Sequence, residues 1–300
     1  VVAIAARALA QSARRGGIAV VALDCFADRD TSAAARICRA VTSLHGLRFD
    51  RDRLLREATQ LAPDAPLVYG SGFEGRIPLL RRLGRGRTIL GNPPMVVASV
   101  RDPFTLLPLL ASLGIRTPET RATLPDEPGD WLAKHPGSAG GTRVQFATPR
   151  RWPAATYFQR RIDGRCCSVL FLADGRRATI VGFNEQWTSP ARPGFPFLYG
   201  GAVSQAELPA EVASDIGARL DALVAATGLV GLNGIDCIVR DDRWWLLEVN
   251  PRPTATAELY DPEFEHGLFR AHVAASAGTL PETMPRRGPA RASTLVHASE

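Results

Sequence analysis

Lysine is nearly missing from this chain. Of its 36 basic residues only Lys134 is lysine, and the rest are arginine. Where arginine serves almost everywhere, a single lysine points either to a place that needs a compact ammonium on a flexible stem and not a planar fork, or to chance survival on a surface; composition alone leaves both open. Long apolar runs are missing too. None approaches the ~18 residues needed to cross a bilayer, so no membrane partner is expected. No Lys/Arg-rich run with interleaved aromatics occurs either. The net charge of +6 therefore does not call for nucleic acid, and an anionic small substrate accounts for it as well. The five cysteines (Cys25, Cys38, Cys166, Cys167, Cys237) are odd in number and lack the spacing of a zinc ligand set. Free thiols in a reducing cytoplasm are expected. Cys166 and Cys167 are adjacent, so on a strand they face opposite sides. The histidines (His45, His135, His266, His272, His297) show no ligand or triad spacing. Only His135, beside Lys134, is placed for a phosphate role. Val1 to Ala6 are apolar, but no basic leader precedes them and no cleavage site follows, so no secretion signal is expected.

What is present suits a globular protein of two or three packed units: 300 residues, 45% hydrophobic and 22% charged. The first part alternates strand and helix. Apolar runs at 1–6 and 18–23 flank an Ala-rich helical stretch at 7–15, the spacing of a parallel sheet. Asp30, Thr31 and Ser32 read as a helix start. A short strand at 67–70 runs into Gly70-Ser71-Gly72-Phe73-Glu74, at a strand end where ligands bind in open parallel sheets. A plain strand-to-helix turn explains that loop equally well. Leu90 to Pro94 is a breaker cluster and a candidate boundary. A Leu-rich helix over 103–113 follows. Strands are expected at 131–133 and 155–162, and a hairpin over 167–183 turns at Asp174-Gly175. Val212, Ile216, Leu220 and Leu223 recur at helical spacing over 210–228. A second hairpin covers 234–249, and the tail from 278 to 291 reads as surface loop.

Three clusters carry chemistry. In the first, Lys134 precedes a glycine-rich run, Gly137-Ser138-Ala139-Gly140-Gly141-Thr142. Glycines let backbone N–H groups approach an anion, and Lys134 at a strand end can reach the same phosphates. A simple flexible turn has the same composition. The second, Phe158-Gln159-Arg160-Arg161-Ile162-Asp163-Gly164, is an apolar strand meeting a turn, where free backbone at one edge would receive an adenine ring. The third joins Asp236 to Glu248-Val249-Asn250-Pro251-Arg252. If the hairpin pairs, Asp236 and Glu248 lie on neighbouring strands, and Asn250 shares the face of Glu248. Three hard oxygen ligands then meet at one spot, suited to Mg²⁺ shared with nucleotide phosphates. Arg252 can hold a γ-phosphate or acyl-phosphate by paired hydrogen bonds. The alternative is a sheet edge with solvated carboxylates, but two inward acids beside Trp244-Trp245-Leu246-Leu247 are costly without a cation.

In this order and at these distances the clusters resemble the ATP-grasp superfamily. Glu248 to Arg252 is similar to its E-x-N-P-R signature residue for residue, and Asp236 to its upstream acidic metal ligand. The finer texture is similar to the carboxylate–amine ligases near the tyramine–glutamate ligases of methanofuran synthesis. The resemblance implies an α/β chain, with α+β character in the grasp lobes. A parallel-sheet pre-ATP-grasp domain (1–97) would precede a small lobe (98–160) and a large lobe with a Pro/Gly/Arg-rich tail (161–300). It implies ATP with one or two Mg²⁺, Mn²⁺ being an acceptable substitute. Lys134, Gly137, Ser138, Ala139, Gly140, Gly141, Phe158 and Gln159 would hold the nucleotide, and Asp236, Glu248 and Asn250 the metal, with Arg252 and Lys134 catalytic. The expected reaction activates a carboxylate as an acyl-phosphate and joins it to an amine, with a homodimer left open. A bicarbonate-activating or carbamoyl-phosphate-type enzyme, or a nucleotide-binding module without turnover, shares the same site. The chain departs from the family pattern twice. Arg101 stands where a further lysine is common, and Arg160 or Arg161 where many members have a hinge glutamate.

Overall fold

The computed structural model describes residues 1–44, 46–189 and 194–296. His45 and His297 lie outside the described residues. Along the chain run α1 (Arg7–Arg15), β1 (Val21–Asp24), α2 (Arg29–Ala34), β2 (Ile37–Ala40), α3 (Arg51–Leu61), α4 (Ile77–Leu83), α5 (Pro94–Arg101) and α6 (Pro103–Ser112). Next come β3 (Thr120–Arg121), β4 (Trp131–Lys134), β5 (Val144–Phe146), β6 (Tyr157–Arg160), β7 (Arg165–Asp174), β8 (Ala178–Thr188) and β9 (Tyr199–Ser204). The chain closes with α7 (Ala210–Thr227), β10 (Val230–Arg240), β11 (Arg243–Asn250), α8 (Ala257–Tyr260), α9 (Gly267–Ser276) and β12 (Ala292–Thr294).

Parallel pairing in the first part is slighter than the apolar runs suggest. β1 and β2 form a two-stranded parallel sheet. Val2 joins Leu23 and Tyr69, and Leu67 joins Ile89, only through single parallel bridges. The 1–6 run is cut short because the chain turns to bring the Ala6 N–H onto Asp24 Oδ2 at 3.1 Å, just ahead of α1. The helix start expected at Asp30 lies two residues earlier. Asp28 caps α2 by accepting from the Thr31 N–H, which leaves one fewer unpaired donor at the helix end.

The rest is mixed α/β with two antiparallel sheets. One has the order β3-β6-β4-β5 and the other β11-β10-β7-β8-β9-β12. The stripe Val212, Ile216, Leu220, Leu223 is wholly buried on α7, packed with Cys167, Val169, Phe171 and Ile235 from one face of the larger sheet. α7 stops at Gly228, whose left-handed φ of 71° suits a residue without Cβ. The opposite face of this sheet is covered in part by α8 and α9 through Leu170, Leu172, Leu259, Tyr260 and Leu268. The first and last parts of the chain are fastened together. Asp261 accepts hydrogen bonds from Ser12 Oγ and the Leu268 N–H and pairs with Arg15. The tail adds β12 to the edge of β9. All five cysteines are free. Among the described residues no single helix is long and apolar enough to cross a membrane.

Candidate active site

The β10–β11 hairpin sets the acidic residues by register. Asp236 lies directly opposite Glu248, Gly234 opposite Asn250, and a bulge follows Asp236. Asp236 Oδ2 accepts from Asn250 Nδ2 at 2.9 Å, and its Oδ1 accepts from Gln186 Nε2 of β8 at 3.2 Å. Burial, and then the charge of Glu248, push the Asp236 carboxyl up to about 7. Burial also works against ionised Glu248, but Arg101 and then Lys134 outweigh it and hold that carboxyl below its usual range. Two adjacent carboxylates, one short of charge compensation, form a donor set that fits a hard divalent cation, with the Asn250 amide oxygen as a third ligand. Among the described residues no trio of His, Cys, Asp or Glu converges as a metal centre. The fit therefore rests on this pair and the amide.

Lys134 ends β4 on the facing sheet. Its Nζ donates to Gln159 Oε1 at 2.6 Å. Burial lowers its pKa, while Glu248 and Asp236 pull the other way. The glycine loop that follows is left-handed at Gly137 (φ 75°), Gly140 (φ 61°) and Gly141 (φ 72°). The loop is tightly held. A Cβ on Gly137 would lie 2.4 Å from the Gly75 Cα, and one on Gly141 would lie 1.6 Å from the Phe197 carbonyl oxygen. The Tyr199 N–H donates to the Gly140 carbonyl at 3.0 Å. Lys134, the loop over 138–141, Asp236 and Glu248 line one cavity of about 220 Å³. Leu132, Val144, Tyr157 and Leu247 give it an apolar wall drawn from both sheets.

The sequence profile of the ATP-grasp domain matches residues 100–256, more than half of the chain. The chain belongs to the ATP-grasp family. No protein of curated function matches it by sequence. Solved structures share the ATP-grasp fold at low identity. An L-amino acid ligase from Bacillus licheniformis is 15% identical with a TM-score of 0.71, covering 93% of this chain and 74% of that one. The biotin carboxylase domain of Hydrogenobacter thermophilus 2-oxoglutarate carboxylase, solved with MgADP and bicarbonate, is 14% identical with a TM-score of 0.73, covering 97% and 73%. Rhizobium etli pyruvate carboxylase is 15% identical with a TM-score of 0.71, covering 95% of this chain, which spans 28% of that longer one.

Within the ATP-grasp frame, several residues stand differently from expectation. Phe158 does not face the cavity. It is buried in the small-sheet core with Trp131, Ala133 and Trp152, and its neighbour Tyr157 lines the cavity instead. β6 has strand partners on both sides, so Phe158 and Gln159 offer no free edge to an adenine ring. Among the described residues Gln159 meets the site through its hydrogen bond with Lys134. Gly137 packs on Gly75 and does not line the cavity. Arg252 is already engaged, its Nε donating to Glu74 Oε1 at 2.5 Å. Arg101 was legible only as a departure. Its Nη1 donates to Glu248 Oε2 at 3.0 Å and to the Val249 carbonyl at 3.2 Å, its Nη2 donates to the Ser138 carbonyl at 2.7 Å, and its buried Nε has no partner among the described residues. Glu74 stands in the 70–74 loop, which the sequence offers either as a ligand loop or as a plain turn, and Gln186 follows the first hairpin, where a substrate could reach; their contacts with Arg252 and Asp236 had no signal in local spacing.

Proposed function

We propose that this chain binds ATP with a divalent cation in the cavity between its two antiparallel sheets and activates a carboxylate for joining to an amine. The carrying observation is the face-to-face placement of Asp236 and Glu248 on β10 and β11, with Lys134 across the same cavity. In this reading residues 1–97 are the pre-ATP-grasp domain, 98–160 the small lobe and 161–300 the large lobe. α5 runs through the first division, which separates fold units without breaking the helix.

Lys134 and the amides of the 138–141 loop hold the phosphates. Asp236, Glu248 and Asn250 would hold the divalent cation, whose positive charge would offset that of the nucleotide phosphates. The substrate carboxylate oxygen attacks the γ-phosphorus, ADP leaves, and an acyl-phosphate results. The amine then attacks the acyl carbon, the C–N bond forms, inorganic phosphate departs and the amine loses its proton. The protein acts by positioning and charge, with no protein nucleophile. Closure of the glycine loop over the bound nucleotide would keep water from the acyl-phosphate. The test is phosphate release across a panel of carboxylates and amines, in wild type and Glu248→Ala. Loss of release in the variant is expected, and equal release in both removes the metal assignment. Bicarbonate-dependent release without an amine would move the reading to a carboxylase. The hold of Arg101 on Glu248 favours a module without turnover as the second reading. ATP binding by calorimetry with no phosphate release on any substrate pair would establish that second reading.

A further inference from the structure

Glu74 takes no part in the scheme above, yet it is one of the most enclosed acids in the molecule, with its side chain 5% exposed. Both of its oxygens are used. Oε2 accepts from the Gly72 N–H of its own loop at 2.8 Å, and Oε1 accepts from Arg252 Nε at 2.5 Å. Arg252 is 12% exposed, and its Nη1 donates to the Pro253 carbonyl at 3.1 Å. Among the described residues its Nη2 has no hydrogen-bond partner. A guanidinium held at Nε and Nη1 cannot swing, so one edge remains for an anion. The turn that carries Arg252 is fixed separately. Asn92 Nδ2 donates to the Pro251 carbonyl at 3.0 Å, and the Arg252 N–H donates to the Asn250 carbonyl at 2.8 Å. Asn250 in turn donates to Asp236. The residue after Glu74 is Gly75, against which Gly137 of the glycine loop packs. One short loop from the first part of the chain thus touches both the signature arginine and the candidate phosphate loop.

We propose that Glu74 is a positioning residue, which pins Arg252 so that its free Nη2 edge meets the anionic group handled beside Asp236 and Glu248. The inference rests on the ligase reading of that site. An ion pair that merely docks the first part of the chain would have the same distances but a different kinetic signature, because its loss would loosen every ligand alike.

The experiment uses the full chain and three variants: Glu74→Gln, Arg252→Ala and the double substitution. Calorimetry measures MgADP alone, then inorganic phosphate added to the MgADP complex. Phosphate release is followed with ATP and carboxylate varied in turn, and urea midpoints are recorded. Glu74→Gln should leave MgADP affinity within about twofold, weaken phosphate at least about tenfold and lower kcat/KM for the carboxylate by a similar factor. In the Arg252→Ala background it should add nothing further. Phosphate binding equal in wild type and Glu74→Gln, or absent from both, overturns the proposal. So does a parallel fall in MgADP affinity, or an effect that persists without Arg252. Selective loss of phosphate binding with no release from any carboxylate would sink the ligase reading and leave the pinning of Arg252 standing.

Discussion

Acid should weaken this protein through one buried histidine. His272 on α9 is 2% exposed. Its Nδ1 accepts from the Leu232 N–H at 2.8 Å, so the proton resides on Nε2, which donates to the Leu90 carbonyl at 3.0 Å. A second proton would have to sit on Nδ1, facing a donor. Burial outweighs the Leu90 hydrogen bond and pulls the pKa from 6.5 to about 4. The unfolded chain takes up a proton as pH falls through 6.5, and the native state does so only near 4. Stability is therefore full above about pH 7 and drains away as pH drops across that window. The separation of the two values corresponds to about 3 kcal/mol in all, of which about 2 kcal/mol is gone by pH 5. His272→Gln isolates the effect, since a Gln amide can offer the same acceptor and donor without titrating. Urea unfolding at pH 8 and pH 5 on both proteins is the assay, with wild type losing about 2 kcal/mol more than the variant between them. A wild-type-minus-variant difference that is the same at both pH values would refute the reasoning. So would an NMR titration of His272 with its midpoint near 6.5.

Three further outcomes are expected. Lys134→Ala should weaken ATP binding at least about tenfold by calorimetry, because Nζ is the ammonium on the cavity wall facing Glu248; unchanged affinity would detach the lysine from the nucleotide. Gly141→Ala must place a Cβ at φ 72° and 1.6 Å from the Phe197 oxygen. A loss of at least about 1–2 kcal/mol should show in the urea midpoint, with the loop displaced and phosphate release lowered. Leu220→Ala, fully enclosed beneath the large sheet, should cost about 2–5 kcal/mol in urea unfolding while leaving nucleotide affinity in the surviving fold unchanged.

Elements held together by local pattern were legible in the sequence, and contacts between distant segments were not. The α7 stripe and the two hairpins follow from 3.6- and 2-residue periods, the first hairpin with its turn at Asp174, and they appear as read. The pairing of Asp236 with Glu248 followed from that hairpin. Phe158 was misplaced because β3 is only two residues long and left no signal that β6 is covered on that side. Alternation then turned Tyr157, not Phe158, to the cavity. α5 escaped notice because its Val-rich run between prolines and Arg101 lacks a clear helical stripe, although Pro94 sits well at its first position. The Glu74–Arg252 pair spans 178 residues, and no local spacing announces a contact across that distance.

The backbone contact between Gly75 and Gly137 constrains any attempt to exchange the first part of this chain for a homologous unit. A Cβ at Gly137 would meet the Gly75 Cα at 2.4 Å, while a Cβ at Gly75 would come within 3.2 Å of the Gly137 carbonyl oxygen, so a donor segment lacking glycine at position 75 would press on the glycine loop and shift it by a few tenths of an ångström. Chimeras built on this scaffold should be chosen for that one residue before any wider similarity is weighed.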